Sequence, residues 1–70
     1  MPYVNIKVTR EKEPITAEQK ATIIKGVTDL LYEVIGRGPG STVVVIDELE
    51  TDNYGLGGET ITALRSRQKS

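Results

Sequence analysis

The chain has no cysteine and no histidine. The first absence excludes disulfides and thiolate metal sites. The second leaves only carboxylates to build a zinc site, which is an unusual donor set. Nine basic residues stand against ten acidic ones, so the basic excess of a nucleic-acid binder is missing. No apolar run approaches the length of a membrane span. No secretory leader is read at the start, and a cytoplasmic location is the expectation. Proline is scarce too, with three in 70 residues. One of them directly follows Met1.

That placement matters chemically. Initiator methionine is normally removed when a small residue follows, which would leave Pro2 with a free secondary amine. Any other proline nitrogen is locked in an amide without a basic lone pair. A free N-terminal proline is a rigid base that needs no histidine. No further histidine-dependent chemistry is open: Ser41 and Thr42 lack an activating base, so serine-type nucleophilic catalysis is excluded.

A chain of 70 residues holds one domain, read here as residues 1–70. A domain this small buries only about 60% of its unfolded surface. Without disulfides or metal, self-association is the remaining device for stabilising it.

Tyr3-Val4-Asn5-Ile6-Lys7-Val8 alternates apolar and polar residues and reads as a half-buried strand. It begins one residue after Pro2 and would hold that amine still, whereas most termini fray. The segment from Arg10 to Ile15 is polar, contains Pro14, and reads as a loop. Thr16-Ala17-Glu18-Gln19 fits a capping box. A helix follows to about Ile35, with Ile23, Ile24, Val27, Leu30, Leu31, Val34 and Ile35 as the stripe facing a sheet. Gly26 is read as permitting close approach to that sheet, and Gly36 as the left-handed stop.

Thr42-Val43-Val44-Val45-Ile46 is apolar without alternation and predicts a strand covered on both faces. Strand, helix and strand of these lengths form a parallel β-α-β unit with a right-handed crossover. One helix covers one face of a two-stranded sheet. The second face needs a cover that the chain does not supply, which predicts a dimer or a larger ring.

The acidic segment from Asp47 to Thr51 is expected to end the strand. Asp47, Glu48, Glu50 and Asp52 read as a solvated charge run, and no metal site is assigned. Asp52-Asn53-Tyr54-Gly55-Leu56-Gly57-Gly58 predicts a small hairpin. It is no phosphate loop, because no lysine opens a helix after it. The tail from Glu59 adds a strand or a turn of helix. Its basic cluster, Arg65-Ser66-Arg67-Gln68-Lys69, reads as a solvated end.

Met1-Pro2 before an alternating strand, Glu18-Gln19-Lys20 opening a helix, a valine-rich second strand and Asn53-Tyr54-Gly55-Leu56-Gly57-Gly58-Glu59 occur in this order. Together they resemble the 4-oxalocrotonate tautomerase (2-hydroxymuconate tautomerase) family over nearly the whole chain. The resemblance implies an α/β (α+β) β-α-β subunit with a C-terminal hairpin, dimerising into a four-stranded sheet backed by two helices. It further implies a homohexamer, a trimer of dimers, with no cofactor. The substrate would be a small carboxylate: a 2-hydroxydienoate converted to its 2-oxo isomer. Pro2 would be the general acid/base. Tyr54 would wall an apolar pocket from a neighbouring subunit, and Leu56 would line it.

The sequence departs from the family at the two arginines that hold the substrate. Ile15 and Val43 occupy those positions, and the first loop is about three residues longer. Arg10 is the first candidate replacement, because it follows the strand carrying Pro2. Lys12, Arg37 and Arg65 are the others. Two rival readings remain: a dehalogenase or decarboxylase that also uses Pro2, and a non-catalytic oligomeric module.

Overall fold

The computed structural model describes residues 1–68. Strand β1 (Tyr3–Thr9) leads to helix α1 (Ala17–Ile35) and strand β2 (Val43–Leu49). A two-residue hairpin, β3 (Gly55–Leu56) and β4 (Glu59–Thr60), then runs into helix α2 (Ile61–Gln68). Lys69, the last member of the basic tail cluster, lies outside the described residues.

β1 and β2 pair in parallel, with Tyr3 opposite Val43 and Thr9 opposite Leu49. Alternation along β1 decides the faces. Val4, Ile6 and Val8 are half-buried, while Tyr3, Asn5 and Lys7 are exposed. α1 covers the first set; its half-buried positions are Lys20, Ile23, Val27, Thr28 and Leu31.

Both ends of α1 form as their residues predict. Thr16 accepts from the Gln19 N–H at 3.1 Å, and the Gln19 side chain accepts from the Thr16 N–H at 3.0 Å. At the other end Gly36 takes the left-handed conformation (φ 71°) and its N–H reaches the Tyr32 carbonyl.

The helix stripe is wider than this protomer covers. Ile24, Leu30, Val34 and Ile35 are exposed, contrary to the expectation that they face the sheet. Gly26 is also away from the sheet; a Cβ there would meet nothing within 4 Å. One two-stranded sheet is too narrow to fill the apolar arc of a five-turn helix.

The acidic segment does not end β2. The strand continues through Asp47 and Glu48 because each carboxylate is satisfied on its own face. Asp47 accepts from Lys7 at 3.0 Å and from Asn5 at 3.2 Å on the open face. Glu48 meets Lys20 at 2.8 Å on the helix side. Period-two alternation thus divides what looks in sequence like one charge run.

No hydrophobic residue among those described is fully buried. The radius of gyration is 15.8 Å, against about 11 Å for a self-contained globule of this length. Every residue of β2 is half-buried and none is buried. The doubly covered strand expected from the valine run is therefore covered on one face only within the protomer.

Candidate active site

Pro2, the residue expected to act as the base, is tied into the sheet. Its carbonyl accepts the Val43 N–H at 2.9 Å, so the parallel ladder extends one residue before β1. It shares the helix-covered side with Val4, Ile6 and Val8 and is itself half-buried. With Met1 attached its nitrogen is an amide; only removal of Met1 creates the amine.

Beside it stands Thr42, one residue before Val43. The Thr42 Oγ1 is buried with no hydrogen-bond partner among the described residues. Sequence reasoning weighed this residue only as a nucleophile. The strand register that sets it next to Pro2 is a tertiary fact.

Tyr54 and Leu56 are at the other end of the sheet. β1 and β2 run the same way, so the hairpin after β2 emerges far from Pro2. Gly57 and Gly58 make the hairpin turn with φ of 63° and 90°, the left-handed pair of a two-residue loop. Gly55 is required for another reason: a Cβ there would stand 2.9 Å from the Glu59 carbonyl oxygen. The Ile61 N–H donates to the Tyr54 carbonyl at 2.8 Å, and the Thr60 hydroxyl accepts the Ala63 N–H at 3.1 Å to start α2. Tyr54 and Leu56 are exposed, at 41% and 69%.

Arg10 also sits at that far end, immediately after β1. Its N–H donates to the Leu49 carbonyl at 2.7 Å, and its guanidinium is 3.8 Å from Glu50. Following the strand that carries Pro2 therefore separates the two. At about 3.3 Å per residue the strand spaces them by about 26 Å. No side chain closes that gap, so Arg10 can meet Pro2 only in another copy.

Two further residues join this end. Both terminal nitrogens of Arg65 grip Glu11, at 2.8 and 3.0 Å, across 54 residues of chain. The Thr9 hydroxyl also donates to Glu11. With the Arg65 guanidinium and then the Thr9 hydroxyl on it, the Glu11 carboxyl is held down to about 2. Arg65 lines one depression of about 300 Å³ with Tyr54, Leu56, Ile61 and Leu64. No sequence signal pairs Glu11 with Arg65.

Ile15 and Val43, at the family's arginine positions, offer no charge. Ile15 lines an apolar depression of about 410 Å³ with Gln19, Thr22 and Ile23. Arg37 follows Gly36 in the loop before β2, at the Pro2 end of the sheet, and is exposed.

The model of the tautomerase enzyme family matches residues 2–64. The chain belongs to the tautomerase family. A probable tautomerase of Dickeya dadantii is 54% identical over 67 residues, covering 96% of this chain and 97% of that one. The crystal structure of DmpI from Helicobacter pylori superposes with a TM-score of 0.83 at 46% identity, covering 99% of this chain and all of the other. The 2-hydroxymuconate tautomerase of Bacillus subtilis is 32% identical over 62 residues, covering 89% of this chain and 95% of that one. The protein is thus an isomerase of the 4-oxalocrotonate tautomerase type, and its β-α-β layout is the fold of that family.

Proposed function

We propose that this tautomerase converts a 2-hydroxydienoate, similar to 2-hydroxymuconate, to its conjugated 2-oxo isomer, with Pro2 as the proton carrier after Met1 is removed. The observation that carries this reading is the hydrogen bond from Val43 to the Pro2 carbonyl. It holds the residue beside the sheet through its carbonyl, so that the nitrogen would be free for chemistry once Met1 is removed. The base takes a proton from the enol oxygen and returns it to a distant carbon. One group with a pKa near neutrality performs both steps. An α-amine titrates near 7.7–8.0 and a secondary aliphatic amine higher. A partly apolar pocket with cations nearby lowers that value.

The site is shared between copies. A two-fold axis beside Ile6, at the middle of β1, would pair two β1 strands antiparallel into a four-stranded sheet. Pro2 and Arg10 each lie four residues from Ile6, so this register sets Pro2 against Arg10 of the second copy. The same pairing carries Thr9, Tyr54 and Arg65 of that copy toward Pro2. The exposed stripe of α1 and the extended shape support such an assembly, and the open sheet faces support its closure into a hexamer.

The test begins with intact mass, which must show Met1 absent from the active protein. Pro2→Ala should then abolish turnover of 2-hydroxymuconate, while 3-chloroacrylate should release no chloride with either protein. Unchanged turnover in the variant rejects Pro2 as the base. Chloride release that depends on Pro2 replaces the isomerase reading with the dehalogenase one. Sedimentation at micromolar concentration should give a hexamer; a monomer removes the shared site.

A further inference from the structure

We propose that Arg65, on α2, is the receptor for the substrate carboxylate, and that Glu11 occupies it at rest as an internal competitor. The proposal rests on the shared-site reading above and assigns the cation that Ile15 and Val43 fail to provide.

Three observations carry it. Arg65 borders the same depression as Tyr54 and Leu56, the residues expected to wall the pocket. Its two terminal nitrogens are each bonded to a different oxygen of one carboxylate, the fork geometry by which arginine recognises that group. The pair is solvent-accessible, with half of each side chain exposed, so the bound carboxylate can exchange.

The other cations of the region fit the role less well. Arg67 is held by Glu59 at 2.6 Å and is absent from the depression around Tyr54. Arg10 approaches Glu50 with a single nitrogen at 3.8 Å, without the fork. Arg10 and Lys12 instead border the adjoining cleft with Glu11 and Arg65, where their charge favours an incoming anion.

Glu11 lies in the exposed loop between β1 and α1, where Arg10 to Pro14 are all exposed. That loop can withdraw without unpacking either element. Substrate binding is then an exchange of one carboxylate for another on Arg65. No covalent bond is made or broken, and Arg65 faces one carboxylate before the exchange and one after it; the second carboxylate of a dianionic substrate is the charge added to the pocket. The longer loop has a purpose on this view: it delivers the resting occupant.

The experiment compares Arg65→Gln, Arg65→Lys, Glu11→Gln and Arg37→Gln in the assembled, Met1-free enzyme. The readouts are KM for 2-hydroxymuconate and the dissociation constant of adipate, an unreactive six-carbon dicarboxylate, by calorimetry. Losing a charge-assisted pair should weaken both by about ten-fold or more in Arg65→Gln. Arg65→Lys should restore part of the loss. Glu11→Gln breaks the same ion pair but frees the receptor, so both constants should fall. If Arg65 only tethers the loop, Glu11→Gln and Arg65→Gln will weaken binding alike, and the proposal is lost. It is equally lost if Arg65→Gln changes neither constant, or if Arg37→Gln alone weakens them. Adipate binding to Pro2→Ala separates the two readings, because it reports on Arg65 even if Pro2 is not the base.

Discussion

Lys20 and Glu48 join the first turn of α1 to the covered face of β2, ammonium to carboxylate at 2.8 Å. The other Glu48 oxygen accepts the Ile15 N–H at 3.2 Å, so one side chain fixes the point where the loop becomes helix. Lys20 foremost, then the Ile15 N–H, holds the Glu48 carboxyl below its ordinary range.

Stability should therefore fall in acid. Glu48, Asp47 and Glu11 all have depressed values in the fold, so the unfolded chain binds more protons as pH drops. The stabilisation is fully present above the ordinary carboxylate values of 4.5 and 3.8. It is lost downward through the folded ones, reaching about 2 for Glu11. Urea midpoints measured from pH 6 to pH 2 should be flat at first and then decline. Glu48→Gln should lower the midpoint at pH 6 and flatten the decline.

Two glycines should respond oppositely to alanine. At Gly55 the new Cβ would press on the Glu59 backbone, so Gly55→Ala should distort the hairpin. Turnover should drop with it, since Tyr54 and Leu56 flank that position. At Gly26 the Cβ enters open space within a helix, and Gly26→Ala should stabilise by about 1 kcal/mol. Thermal melts of both variants check the pair, and loss of stability in Gly26→Ala would reveal a second copy packed against that turn.

Thr42→Val removes a buried hydroxyl that has no partner among the described residues. Replacing it by an isosteric methyl relieves an uncompensated desolvation, worth about 1–3 kcal/mol. The melting temperature should rise. A rise in stability together with lower kcat would mean that the hydroxyl finds its partner in the substrate complex beside Pro2.

Thr16→Ala deletes one half of the reciprocal cap on α1. It should cost about 1 kcal/mol. Because the same turn carries Lys20, helix fraying should also weaken its hold on Glu48. Denaturation of Thr16→Ala, Lys20→Ala and the double variant measures that coupling.

Local chemistry was legible in the residues themselves. The alternation of β1, the reciprocal cap at Thr16 and Gln19, the stop at Gly36 and the glycine turn after Leu56 each depend on neighbours within a few positions. The insufficiency of the protomer was legible as well, because one helix covers one face of a two-stranded sheet and the chain supplies nothing for the other; that the apolar arc of α1 also exceeds the sheet emerged only from the structure. Tertiary structure alone decided which residues meet. Parallel pairing of β1 with β2 sends Pro2 and Tyr54 to opposite ends, and turns Arg10 from an expected neighbour of Pro2 into a residue that only another copy can bring to it. It also set Thr42 beside Pro2 and closed Arg65 on Glu11. Such contacts depend on strand direction and register, fixed by packing across the whole sheet, and no local run of residues encodes them.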